Sequence, residues 1–468
     1  MRNLGIILSI LFLFCSVFSF SQKSDFKKVS ITLTGNNKTR PGIIFREIEF
    51  ADGDSLSVDD LDVVIEKSKL NLLRTQLFNF VDVTIVDQGD DSLNVIFVFQ
   101  ERWYYWAYPI LEHSERNLSS FIYYGDWSRI NYGAAFDWYN FRGRDEVFRF
   151  KTRLGFKEHY AISYHKPGFG KRKIDGIWVF VDYFRQKKVI HSLIKNQPFY
   201  WQNDDIYLKK IFDVGFEYSF RPEINYVFEF GVKFRQYFFD SGYYYNELSG
   251  QTIPRYAVPK IGFKYDSRNS IVYPTSGFYS NIRLTASLHG DKDSSNNVSF
   301  TALIQQNTAF GESKFSMKNE LFVGKYFYDK SKPVLFDEMF NFYGGFFMRG
   351  YEYYYFPGEF LFSSKNTLSY ELFDFRLNIL PLVLPEEFSK TFTVMYLEAF
   401  ADAAYEKTVN DIYNVADLLG NKFVYSVGIG VSFETYYDRL IQFRVAYNGA
   451  FNKFGIFAEF KTPIYKKY

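Results

Sequence analysis

From Trp103 onward the chain repeats one pattern, in which apolar and polar residues alternate over segments of about ten. In residues 226–235 one face is Tyr226, Phe228, Phe230, Val232 and Phe234, and the other is Val227, Glu229, Gly231, Lys233 and Arg235. A period of two sends successive side chains to opposite faces of a strand. The same division separates Phe278, Ile282, Leu284, Ala286 and Leu288 from Asn281, Arg283 and Thr285, and Phe423, Tyr425, Val427, Ile429, Val431 and Phe433 from Lys422, Ser426, Gly428 and Glu434. An apolar outer face over a polar inner one suits strands that meet lipid outside and a wet lumen inside. About sixteen such segments can be placed, near Trp103, Tyr132, Glu146, His159, Gly176, Ile206, Tyr226, Arg255, Gly277, Val298, Lys314, Lys365, Thr391, Lys422, Arg439 and Phe454. Short connections at residues 141–145 and 221–225 alternate with longer ones such as 240–254, the asymmetry of periplasmic turns and extracellular loops.

No later stretch reaches eighteen uninterrupted apolar residues, so the pattern predicts no transmembrane helix and leaves a closed barrel as the way across a bilayer. Residues 1–21 read as a secretory signal: Arg2 is followed by an apolar run over residues 4–20, and Ser19 and Ser21 suggest cleavage before Gln22. The single cysteine, Cys15, lies in that run; Phe14 before it argues against lipid attachment, and a mature chain without it has no thiol chemistry. Phe, Tyr and Trp make up 22% of the residues. That is more ring surface than a water-soluble core uses, and lipid-facing girdles accommodate it. A net charge of +2 with no basic stripe gives no support to nucleic-acid binding.

Residues 22–102 break the pattern. Val29 to Thr34 alternate as a strand, Thr39 and Pro41 open a short helix, and Ser57 starts a longer one with an apolar stripe of Leu61, Val64, Ile65, Leu72, Leu73 and Leu77. Residues 80–86 and 93–99 then read as a hairpin joined through residues 87–92. The order is strand, helix, helix, strand, strand, and such a small sheet leaves an edge to which an extended peptide can add. The alternative is a rigid spacer.

One further stretch stands out, residues 342–355, with Gly344 and Gly345 ahead of Met348, Arg349, Gly350 and Tyr351. Paired glycines let a loop fold back and thread a narrow space, and a lone arginine among aromatics calls for buried carboxylates. This segment resembles the sixth extracellular loop of the BamA/TamA-type outer-membrane assembly family, with Met348 where Val or Ile is usual. A second segment, with Asp266, Arg268, Pro274 and Gly277, resembles a periplasmic turn of that family, and residues 22–102 resemble its POTRA domain. The resemblance implies a membrane β-barrel of about 16 antiparallel strands over residues 103–468, preceded by one α+β POTRA domain (βααββ) in the periplasm. It also implies that the loop enters the lumen and that Arg349 meets acidic residues. Glu371 and Asp402 match these by local pattern, and Glu398, on the same face as Asp402, competes.

Pro109 in the first strand and Pro463 beyond the last are residues that cannot donate to a ladder, so few hydrogen bonds are expected at the seam between these strands. The expected activity is insertion of unfolded outer-membrane proteins through that seam, with the bilayer and unfolded client proteins as partners, accessory lipoproteins at the POTRA domain as a further candidate partner, and no cofactor. A secretion transporter for one partner protein or a porin-like channel are the alternatives. An enzyme is not expected. His113, His159, His165, His191 and His289 have no metal-ligand spacing, and no Gly-x-Ser-x-Gly elbow occurs.

Overall fold

A computed structural model describes residues 26–461, apart from residues 90, 114–121, 123–124, 126, 128–129, 204, 240–254, 291–294, 333–339, 344–347, 379–385, 389 and 409–413. The expected signal segment, Gly344, Gly345 and Pro463 lie outside the described residues.

The amino-terminal unit comprises β1 (Phe26–Thr34), α1 (Pro41–Ile44), β2 (Ser55–Ser57), α2 (Val58–Arg74), β3 (Phe78–Gly89) and β4 (Ser92–Glu101). Its sheet runs β2-β1-β4-β3, with β1 and β4 parallel and the other neighbours antiparallel. The extra strand β2 departs from the expected three-stranded sheet. The turn at Gly53 folds residues 55–57 back onto β1, with Gly53 N donating to Val29 O at 2.8 Å and Val29 N to Asp54 O at 2.8 Å. Thr39 does not cap α1. Arg40 stands at the cap position, and the Thr39 hydroxyl turns to Glu101 instead. Leu61, Ile65 and Leu72 of α2 pack with Val29, Val95 and Phe97 of the sheet, so the helical stripe and the alternate strand positions close one core.

Every segment expected to be a barrel strand is one. They are β5 (Tyr105–His113), β6 (Ile130–Phe141), β7 (Glu146–Gly155), β8 (Lys157–Phe169), β9 (Asp175–Gln186), β12 (Lys209–Phe220), β13 (Tyr226–Phe239), β14 (Arg255–Asp266), β15 (Gly277–His289), β16 (Asn297–Ala309), β17 (Phe315–Tyr328), β19 (Tyr355–Asn378), β20 (Lys390–Thr408), β22 (Phe423–Thr435), β23 (Arg439–Asn448) and β24 (Lys453–Lys461). Neighbours pair antiparallel in chain order, and the order returns on itself with β24 beside β5. Phe230, Val232, Ile261, Leu284 and Ile429 lie on the exposed outer face, while Glu229, Asp213, Asp402 and Ser426 are buried inside. No helix among the described residues is long and apolar enough to cross a membrane.

Four further short strands were not anticipated. β10 (Lys188–Ile194) and β11 (Gln197–Gln202) form a hairpin that pairs with β21 (Asn414–Val415), and β18 (Phe340–Tyr343) adds to β19. The hairpin tip is anchored at Asn196, whose side chain donates to Asp417 Oδ1 at 2.9 Å and accepts from Leu418 N at 2.8 Å, while its backbone O accepts from Tyr355 N at 2.8 Å.

Candidate functional site

Two connections from opposite ends of the barrel turn into the lumen and meet the same wall. The first holds Arg349, in the connection between the eleventh and twelfth barrel strands, β17 and β19. Its residue surface is 9% exposed and that of Asp402 on β20 is 3% exposed. The guanidinium grips Asp402 in a fork, Nη2 to Oδ1 at 2.5 Å and Nε to Oδ2 at 2.8 Å. Its remaining donors reach Thr367 Oγ1 at 2.9 Å and Asn366 O at 3.3 Å, both on β19. Its plane lies 4.1 Å from the ring centroid of Phe400. A planar fork matched to one carboxylate, backed by an aromatic face, is the geometry at which arginine outperforms lysine.

The flanking residues explain why the chain can come so close. Gly350 has φ +85°, and a Cβ there would sit 3.2 Å from Ala446 Cβ and 3.3 Å from Ser426 Cβ. Its carbonyl accepts from Asn448 Nδ2 at 2.8 Å. Met348 and Tyr351 are fully buried, and the Tyr351 hydroxyl donates to Tyr425 O at 3.0 Å. Residues 348–351 therefore brace β19, β20, β22 and β23 together.

The second connection, between β14 and β15, is the segment with Asp266, Arg268, Pro274 and Gly277. Arg268 forks onto Asp266 at 2.9 and 2.7 Å, closing the turn's base. Gly277 has φ +96°, and a Cβ there would fall 2.3 Å from Ser267 O, so only glycine fits. Tyr273 carries the turn into the lumen. Its ring stacks on Tyr396 at 3.9 Å, and its hydroxyl reaches Glu398 Oε1 at 2.8 Å and Ser369 Oγ at 2.9 Å. Pro274, Tyr273 and Arg349 line one cavity of about 120 Å³.

Two of the three acids expected beside Arg349 are not its partners. Glu398 accepts from Ser432 Oγ at 2.6 Å as well as from Tyr273, so it serves the turn rather than the loop. Glu371 is half-buried opposite Tyr396 on β19, four residues beyond Thr367 (371 − 367 = 4). That is about 13 Å at the strand rise, too far for one arginine. A bulge between Glu371 and Phe373 then brings Asp374 and Arg376, three and five residues on, to the same face of β19 as Glu371.

The amino-terminal unit is clamped to the same end of the barrel as the Tyr273 turn. Glu47, 1% exposed, takes both terminal nitrogens of Arg221 from the β12–β13 turn at 2.7 Å and Arg46 Nε at 2.6 Å. Burial alone would raise its carboxyl pKa, but Arg221 and Arg46 hold it down at about 2. Arg102 forks onto Asp438 in the β22–β23 turn at 2.5 and 3.0 Å, and Trp103 N donates to the Tyr437 hydroxyl at 2.9 Å. Sequence reasoning missed these contacts, although Arg46-Glu47 is a charged pair next to buried Ile43 and Ile44.

Pro109 is exposed on β5 opposite Ala134 of β6. Around it the seam strands β5 and β24 span nine described residues each, and each ends against residues outside the described ones. The three most exposed large apolar side chains among the described residues are here, Leu111 at 80%, Phe454 at 77% and Ile456 at 75%. Among the described residues no group of three or more His, Cys, Asp or Glu is placed to hold a metal ion.

Comparison with known proteins agrees with this architecture. The chain is similar over 93% of its length to BamA from Haemophilus ducreyi, in a crystal structure lacking POTRA domains 1–3, at 16% identity, covering 84% of that chain with a TM-score of 0.52. It is also similar to CdiB from Escherichia coli, at 11% identity over 93% of this chain and 76% of that one, with a TM-score of 0.54. At such identity the likeness speaks to the fold. No curated protein sequence matches the chain. The sequence profile of the Omp85 superfamily domain matches residues 140–449, more than half of the chain, so this outer-membrane protein belongs to the Omp85 superfamily.

Proposed function

We propose that the protein is an assembly factor that inserts unfolded β-barrel proteins into the bacterial outer membrane, working without covalent chemistry through the seam between β5 and β24. The observation that carries this reading is the exposure at that seam. A lipid-facing side chain in a continuous sheet is shielded on both sides by neighbouring strands, yet Leu111, Phe454 and Ile456 are the least shielded large apolar side chains among the described residues. Pro109, which has no N–H to give, weakens the ladder that holds the junction. A client strand entering there would satisfy backbone groups that lipid cannot.

In this reading the amino-terminal unit is a single POTRA domain on the periplasmic side. Its edge strand β3, with Ile85 and Val86 exposed, offers a place where an extended client or an accessory lipoprotein could dock by strand addition. The inward-folded residues around Arg349 and Tyr273 occupy the lumen, which favours this reading over a porin-like channel. Cysteine pairs stepped along β5 and β24 test it in vesicles that report client folding by heat-modifiable mobility. Oxidation is expected to stop client insertion and reduction to restore it; full activity of the locked protein would sink the seam mechanism. Loss of export of one partner protein in the native cell, with bulk barrels unaffected, would select secretion instead.

A further inference from the structure

The outward face of the barrel differs between its two rims. At the rim that carries the amino-terminal unit, outward positions are aromatic, among them Phe220, Tyr226, Tyr265 and Phe278. Such a girdle sits at a headgroup boundary without needing any particular lipid. At the opposite rim, between β8 and β14, cations stand among outward aromatic positions such as Tyr183 and Phe238. Arg185 on β9 shares the outward parity of Val179 and Val181, and Lys210 on β12 that of Phe212 and Val214; these two cations stand directly opposite each other. Arg255 on β14 shares the outward parity of Ile261.

Glu158, the carboxylate that faces Arg185, is already engaged. It accepts from Arg185 Nε, from the Tyr160 hydroxyl at 3.1 Å and from the Tyr207 hydroxyl at 2.6 Å. The Tyr207 ring in turn lies 4.2 Å from the Arg185 guanidinium and 5.4 Å from the Lys187 ammonium. Lys210 and Arg255 make no ion pair among the described residues. Like charges assembled directly above an apolar band repel one another, and hydrocarbon below offers them no counter-charge. Their complement is an anion at headgroup height. A phosphate offers several acceptor oxygens to an arginine fork and to a lysine point charge.

We propose that this rim of β9, β12 and β14 is a binding site for the phosphate-bearing headgroup of an outer-leaflet glycolipid. Lys210 and Arg255 meet the phosphate, and the Tyr207–Arg185 platform lies against the sugar. The proposal rests on the reading that places the amino-terminal unit in the periplasm, which makes the cationic rim extracellular. Binding there would fix the rotation and height of the barrel in the outer leaflet, on the wall away from the seam.

The test uses the full mature chain in neutral detergent, with native mass spectrometry and thermal unfolding in the presence of three lipids: a phosphorylated lipid A, its dephosphorylated form and phosphatidylglycerol. The phosphorylated glycolipid is expected to stay bound and raise the unfolding temperature. The Lys210→Gln/Arg255→Gln protein should bind it at least tenfold more weakly, and Lys210→Arg/Arg255→Lys should bind it normally. Equal retention of the dephosphorylated lipid, or of phosphatidylglycerol, overturns the proposal without any variant and so holds even if the double substitution fails to fold. Orientation is tested separately by Lys195→Cys at the tip of the β10–β11 hairpin. Labelling by an impermeant maleimide on intact cells is expected, and its failure would overturn the orientation whatever the lipid result.

Discussion

Replacing Arg349 by alanine strands the Asp402 carboxylate inside the barrel. That group is 3% exposed and would lose two direct guanidinium bonds, keeping only the weak contact from the backbone N of residue 349 at 3.3 Å. Thr367 would lose a partner and Phe400 its cation. Breaking a buried pair by removing one member costs about 3–5 kcal/mol. The surviving backbone contact puts the expected loss at about 3 kcal/mol. Lysine at 349 would keep the charge but not the fork and should fall in between. Removing both charges, in Arg349→Ala with Asp402→Asn, should cost less than the sum of the single changes, by about 1–3 kcal/mol, because neither variant then leaves a bare ion. Urea midpoints of the barrel in vesicles, read by heat-modifiable mobility, give all four corners of this cycle. A single variant within about 0.5 kcal/mol of the parent, or strict additivity, would refute the view that this pair holds the loop in place.

Two other perturbations follow from the geometry. Glu47 titrates at about 2 when docked against an ordinary 4.5, so its contribution is fully present above about pH 4.5 and is lost as pH falls toward 2. The difference amounts to about 3 kcal/mol; protease protection of the amino-terminal unit should decline across that window in the parent and be low throughout in Glu47→Gln, and an unchanged acid profile in the variant would count against the clamp. Gly277→Ala places a Cβ 2.3 Å from Ser267 O at a positive φ. It should lower stability by about 2–3 kcal/mol in the same urea assay, and a neutral effect would mean the turn can relax.

Alternation carried the barrel because lipid and lumen impose opposite chemistry on adjacent residues, and each of the sixteen segments located that way is a strand. The same arithmetic put Asp402 and Glu398 on one inner face. It could not say which of them Arg349 touches, because parity fixes the side of a strand and not the height along it. Asp402 and Glu398 are four residues apart on β20, and only the entry point of the loop decides between them. Tyr273 lay within a recognised segment, yet nothing in its local sequence announced that its hydroxyl would cross the lumen to Glu398. The β10–β11 hairpin escaped notice because residues 188–202 have no second face to bury in lipid. β2 is three residues long, below the length at which periodicity speaks. The docking contacts of Glu47, Arg102 and Asp438 join segments far apart in the chain, and no local pattern reports on them.

The fork between Arg102 and Asp438 sets how the junction of the first and last strands can deform. Arg102 stands three residues before β5, Asp438 immediately before β23, and Trp103, Trp106, Phe388 and Tyr437 crowd around the contact with ring centroids 5.2–6.3 Å apart. The unshielded Leu111, Phe454 and Ile456 all lie toward the other end. In the proposed seam mechanism, with one end pinned, the two strands would part by swinging about the pin, and the gap would be a wedge whose width grows with height in the bilayer. Lipid chains of the leaflet farther from the amino-terminal unit would then feel the disturbance first, and an incoming strand would pair progressively from the wide end toward the narrow one.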